Sequence, residues 1–224
     1  MEMRLRLKFC SSRRSGTFSM VARCPRTLTL GICVASASLA VGSAVPHVEA
    51  GVGAITVQGY TCFHHGVNGL RLLRRGLEPN AILESLLKRD PLREMRQISI
   101  IDISGRRAAF TGRETLEWRG HIIREDCVAA GNSLVSERVL EAMVAAFETS
   151  EDKWLAERLM EALEAGEMSG GDRRGTRSAA LIVVGEKPIH ESRPIIDLRV
   201  DFHSEPVKEL RRIFEAYKSW LGLK

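Results

Sequence analysis

Between Arg26 and Arg71 the only charged side chain is Glu49. A stretch so poor in charge has to be buried on both faces, and that requires packed layers above and below it. Residues 17–23 and 28–37 read as two strands, joined by the hairpin turn Cys24-Pro25-Arg26-Thr27. Residues 51–57, rich in glycine and β-branched side chains, continue as a third strand.

Two helices follow in the pattern. Residues 68–75 end at Gly76, and residues 79–89 set Ile82, Leu83, Leu86 and Leu87 on one face. Residues 97–103 and 107–111 flank the turn Ser104-Gly105-Arg106 and predict a second hairpin, and residues 126–130 a further short strand before Gly131-Asn132. Ser136 stands where it would cap a helix running through Phe147, and another helix spans residues 152–165 with Gly166 as its stop. Residues 178–184 and 195–200 read as strands, and residues 206–221 as a terminal amphipathic helix with Pro206 in its first turn. Strands grouped at hairpin distance argue for antiparallel sheets rather than an alternating βαβ chain. Two packed sheets with helices outside is the simplest α+β architecture that buries all these runs. The length of 224 residues suits one domain with a short appendage.

That appendage is residues 1–16. They hold five basic side chains against Glu2, and so carry a net +4 of the chain's formal +5. The remaining body is nearly neutral and lacks the electrostatic footprint of a nucleic-acid binder. Residues 1–16 are expected to be a disordered basic leader, removable or arising from a misplaced start, ahead of a single domain over residues 17–224. The five cysteines form no C-x-x-C pair, neither a disulfide framework nor a zinc pattern. A reducing, cytoplasmic compartment is therefore expected, with Cys33 as a small core residue. Export is the alternative reading. It takes the basic start with Arg13-Arg14, the apolar run 28–45 and the site Val48-Glu49-Ala50 as a signal, but Arg23, Pro25 and Arg26 interrupt that signal. The run is also too diluted for a membrane span.

Several motifs resemble one family. Thr17-Phe18-Ser19-Met20-Val21-Ala22-Arg23, Leu39-Ala40-Val41-Gly42 and Ala50-Gly51-Val52-Gly53-Ala54 are similar to the bacterial and archaeal domain-of-unknown-function family ten-twenty-eight. So are Asp90-Pro91, Arg96-Gln97, Ala109-Phe110-Thr111-Gly112, Gly131-Asn132, Gly170-Gly171-Asp172, Arg174-Gly175, Ser178-Ala179-Ala180 and Asp197-Leu198-Arg199-Val200-Asp201. The resemblance implies a four-layer αββα sandwich like that of the N-terminal-nucleophile hydrolases. It also implies a threonine, here Thr17, that opens the domain. It supplies no substrate. Because residues 28–45 match the family's body, cleavage after Ala50 would destroy the domain. The chain departs from the family at Cys24, Ala37, Cys62-Phe63 and Arg177.

The candidate site follows from residue chemistry. An N-terminal Thr17 carries a hydroxyl nucleophile and an α-amine base on one residue, and an α-amine pKa of about 7.7–8.0 leaves a useful base fraction near neutrality. Gly16, without a Cβ, suits a self-cleaving bond. The alternative for Thr17 is a β-branched residue that merely begins a strand. In Gly170-Gly171-Asp172-Arg173-Arg174-Gly175, the amides of Gly171 and its neighbours could form an anion nest. There Asp172 could orient the Thr17 amine and Arg174 hold a substrate carboxylate; a plain surface loop is the alternative. Asn132 could donate its side-chain amide to an oxyanion hole, or be ordinary turn chemistry. Ser36 ends the second strand where such folds gather their sites. His64-His65, on an extended segment, would point to opposite faces and hold no metal. The expected activity is hydrolysis of a small amide or related carbonyl compound by a threonine nucleophile, without cofactor or metal. The alternative is a non-catalytic ligand- or partner-binding protein on the same fold. Neither nucleic acid nor membrane is expected as a partner, and the near-neutral body tolerates a homo-oligomer.

Overall fold

The computed structural model describes residues 16–185 and 194–222, so the expected leader lies outside the described residues except for Gly16. The chain runs through β1 (Thr17–Cys24), β2 (Thr29–Ser36), β3 (Pro46–Glu49), β4 (Gly53–Gly59), α1 (Phe63–Arg74) and α2 (Pro79–Leu87). It continues with β5 (Arg96–Asp102), β6 (Arg107–Thr111), β7 (Gly120–Ile123), β8 (Cys127–Asn132), α3 (Arg138–Thr149) and α4 (Leu155–Met168). It closes with β9 (Ser178–Val184), β10 (Ile196–Val200) and α5 (Pro206–Trp220).

Every strand pairing is antiparallel. One sheet has the order β10-β9-β2-β1-β8-β7 and the other β3-β4-β5-β6. Period-two alternation sorts the side chains of β1 cleanly. Phe18, Met20 and Ala22 pack against Leu140, Met143, Leu159 and Leu163 of α3 and α4, in a core that α5 joins through Leu210 and Phe214. Val21, with Leu30, Ile32 and Val128, faces Ala54 and Ile101 of the smaller sheet. That sheet's other face, Ile55, Val57, Ile98 and Ile100, is covered by Ile82, Leu83 and Leu86 of α2 and by Leu73 of α1. The layers are therefore αββα, the order that the resemblance implied.

Several elements differ from the sequence reading, each for a packing reason. The first helix begins at Phe63 rather than residue 68, so His64 and His65 are helical, not extended. The strands β3 and β7 are short and only partly buried, too weak in pattern to be read from sequence. Gly131-Asn132 belongs to β8 rather than to a turn after it. The α4 helix runs through Gly166 to Met168, because there the missing side chain lets the helix close on its neighbours. A Cβ at Gly166 would stand 2.8 Å from Met143 and 3.2 Å from Phe18. Ser136 gives no side-chain cap; Glu137 occupies the N-cap of α3 without one. Cys33 is buried in the core as expected, and burial drives its thiol far above the usual range.

Candidate active site

The β-ladder places polar residues in a row across the larger sheet. Thr17 stands opposite Ser36 on β2 and Asn132 on β8, and Ser36 stands opposite Ser178 on β9. Directly opposed residues point to the same face, with Cβ atoms about 4.5–5.5 Å apart. The row lies on the face of β1 that meets the smaller sheet, at the mouth between the two sheets. Thr17, Ser36 and Asn132 are all buried.

Donor bookkeeping orders the first two hydroxyls. Ser36 Oγ has one proton, which it donates to the Gly16 carbonyl at 2.6 Å. It therefore accepts from Thr17 Oγ1 at 3.1 Å, and it also accepts from the Ser38 amide at 3.0 Å. The Gly16–Thr17 linkage is tightly enclosed. A Cβ on Gly16 would stand 2.5 Å from Asp172 Oδ2 and 2.5 Å from Ser133 Cβ, so only glycine fits there.

Asp172 has a fully buried side chain beside this linkage. Its Oδ2 accepts from the Ala37 amide at 3.1 Å and from Arg174 Nη2 at 3.1 Å; its Oδ1 accepts from the Arg174 amide at 3.0 Å. The Ala37 contact is made by backbone, so the departure at position 37 leaves it untouched. The expected anion nest is absent from this loop, because its amides are already engaged. Gly170 and Gly171 donate to the carbonyls of Glu167 and Gly166 at the end of α4, Arg173 donates to Ser133, and Gly175 donates to Asp172. Gly171 thus terminates a helix rather than offering an amide to a ligand. Arg174 lies on Asp172 and does not line the cleft described below.

Asn132 belongs to a buried network of side-chain amides. Gln97 Nε2 points at the carbonyls of Gly120 and Gly131, 2.9 and 2.8 Å away, which turns its Oε1 toward Gln58 Nε2 at 2.8 Å and Asn132 Nδ2 at 3.0 Å. With its amide nitrogen engaged on Gln97, Asn132 keeps a buried Oδ1 with no partner among the described residues. The open oxygen is an acceptor that suits an amine, while Nδ2 has a second hydrogen beyond the one given to Gln97. Ser19 completes the chain by donating to Gln58 Oε1 at 2.7 Å. Sequence reading missed Ser19, Gln58 and Gln97. The available signal was one side-chain amide in each of two strands, Gln58 in β4 and Gln97 in β5, the latter within the quoted Arg96-Gln97 match.

In front of Thr17 and Ser36 lies a cleft of about 480 Å³. Its walls include Leu39, Val41, Val45, Tyr60, Thr61 and Phe63. Leu39, Tyr60 and Phe63 are exposed, as are Leu28 and Val67, against the burial expected of the charge-poor stretch. The Tyr60–Thr61 wall is held from behind. Arg96 donates to both of their carbonyls and lies over the Tyr60 ring, while its Nε reaches Asp90 Oδ2 at 2.7 Å. His65 Nε2 donates to the same Asp90 oxygen at 2.7 Å. Burial opposes the charge on Asp90, but the bonds from Arg96, His65 and the Leu92 amide outweigh it and hold the carboxyl well below its usual range. Among the described residues no His, Cys, Asp and Glu group of three or more could hold a metal, and no helix is long and apolar enough to cross a membrane.

The model of the family of unknown function DUF1028 matches residues 17–210, beginning at Thr17 itself. The chain belongs to this family. A solved DUF1028 member, protein SPO2555 from Silicibacter pomeroyi, is 32% identical with a TM-score of 0.83, over 91% of this chain and 86% of that one. Anbu, the ancestral beta-subunit from Yersinia bercovieri, is 11% identical with a TM-score of 0.40, over 92% of this chain and 96% of that one. No curated protein matches the sequence.

Proposed function

We propose that this DUF1028 protein is a hydrolase that uses Thr17 as an N-terminal nucleophile on a small amide or related carbonyl compound. The observation that carries the reading is the Thr17–Ser36 hydroxyl pair at 3.1 Å, buried at the base of an open cleft with Asp172 beside the Gly16–Thr17 bond. Hydrolysis of that bond, water adding to the Gly16 carbonyl carbon to leave a carboxylate, gives Thr17 a free α-amine and releases the Ser36 proton from the Gly16 carbonyl. The Thr17 Oγ then attacks the substrate carbonyl carbon while its proton passes to the α-amine, directly or through water. The protonated amine returns that proton to the leaving nitrogen as the C–N bond breaks, leaving an ester on Thr17. Water hydrolyses the ester and restores the hydroxyl. Asn132 Oδ1 and Asp172 serve as acceptors that orient the amine, and Ser36 fixes the nucleophile.

Two measurements test this. The intact mass of the purified protein should correspond to a chain that starts at Thr17. Thr17→Ala should reduce amide hydrolysis to the uncatalysed background. A chain that keeps residues 1–16 and hydrolyses undiminished would overturn the proposal. A second reading is favoured by the bond from Ser36 to the Gly16 carbonyl, which an intact Gly16–Thr17 linkage satisfies. There the same cleft binds its ligand without reaction, and Thr17→Ala leaves binding intact. Free, buried Cys33 and Cys127 support a reducing, cytoplasmic location as part of the proposal.

A further inference from the structure

The walls of the Thr17 cleft carry aliphatic, aromatic and hydroxyl side chains, and no charged side chain among the described residues. The nearest cations are committed elsewhere. Arg96 sits behind the Tyr60–Thr61 wall on Asp90, and Arg174 lies on Asp172. Behind Phe63, the ring of His47 packs at 5.0 Å, and burial lowers its pKa, which disfavours its charged form. Leu39 and Phe63 are 57% and 59% exposed, so two large apolar side chains face open space at the entrance. The volume of about 480 Å³ falls within the range of small-molecule sites, about 300–1,000 Å³.

We infer that the cleft selects an uncharged substrate whose acyl group is aliphatic or aromatic, seated among Leu39, Val41, Tyr60 and Phe63. Such a group gains from removing apolar area from water, at about 25 cal/mol per Å². An acyl group bearing a carboxylate or ammonium would lose hydration, and the side chains that line the acyl-binding walls offer no counter-charge to replace it. The hydroxyls of Thr17 and Ser36 supply the polar end, where the carbonyl carbon meets the nucleophile. The inference rests on the hydrolase reading for the reaction, but not for the binding preference.

The test uses the full chain and separates the two. Hydrolysis of hexanoyl and benzoyl p-nitroanilides is compared with that of the succinyl and glycyl compounds. Binding of benzamide and of succinamate to Thr17→Ala is measured by calorimetry. The neutral compounds should be preferred by about tenfold or more in kcat/KM and in affinity. Leu39→Arg, at an exposed position that tolerates the change, should narrow or reverse that preference toward the succinyl compound and succinamate. Phe63→Ala should weaken benzamide binding. Neutral preference in binding without hydrolysis by the wild type would overturn the hydrolase reading and leave this inference standing. Equal or better use of the charged compounds, or a preference unmoved by both variants, would overturn the inference and leave the hydrolase reading standing.

Discussion

The two faces of β1 are both buried, but to different ends. On the helix side Phe18, Met20 and Ala22 meet only apolar partners. On the sheet side Thr17 pairs with Ser36, and Ser19 begins a second set of bonds that runs through Gln58 and Gln97 to Asn132. Apolar residues would have filled the second interface with no polar groups to satisfy. Nearly every donor and acceptor in it is paired, and the exceptions, Asn132 Oδ1 and Ser99 Oγ, include the one directly opposite Thr17. The sheet-side interface holds polar groups in fixed orientation next to an open cleft, the arrangement on which the proposed chemistry rests, whereas the helix-side interface supplies cohesion.

The largest expected effect probes cohesion. Phe18→Ala should destabilise the protein by about 3–5 kcal/mol, through lost transfer energy and the cavity left against α4. Urea unfolding measures it, and a loss under about 1 kcal/mol would mean that the helix side relaxes easily. Gln97→Leu probes the other face at nearly constant volume. It strips partners from Gln58, Asn132 and the carbonyls of Gly120 and Gly131, at about 1–3 kcal/mol for each buried group left unpaired. A neutral outcome in the same unfolding experiment would show that water replaces those bonds and that the polar interface is looser than its geometry.

The smallest effect concerns a charge at the end of the helix side. Burial holds the Glu167 carboxyl above its ordinary range; the Thr176 hydroxyl at 2.5 Å pulls it back, and the nearby Asp172 charge adds to the rise. A raised folded pKa means that the native state keeps its proton while the unfolded chain ionises. Stability from this group is therefore fullest below the ordinary glutamate pKa of about 4.3 and falls as pH rises through the raised value. Glu167→Gln keeps an oxygen for Thr176 and cannot ionise, so the drop in melting temperature between acid and neutral pH should shrink. An unchanged pH slope would remove Glu167 from the account.

Much of this arrangement was legible from residue pattern. The hairpin of β1 and β2, the helices over residues 79–89 and 206–221, and the buried run Ser178–Val184 follow from periodicity and turn chemistry. Thr17 and Ser36 were singled out by chemistry and come together across one ladder. The role of Gly171 was misread, because a glycine amide looks available until its partner, here the Gly166 carbonyl, is known. Gln97 and Ser99 alternate with Ile98 and Ile100, a pattern identical to that of a strand with one face in water. In this fold the polar positions meet a second sheet instead.

The sequence by itself determined the layered α+β class, the antiparallel pairing and the position of Thr17 at the head of the first strand, because periodicity, turns and charge are local properties. Only the tertiary structure decided that Thr17, Ser36, Asn132 and Asp172 converge on one mouth between the sheets, with Tyr60 and Phe63 across a cleft from them. Convergence depends on strand register and on which face of each strand another layer covers. Both are set by contacts between residues tens of positions apart, and no local pattern encodes them.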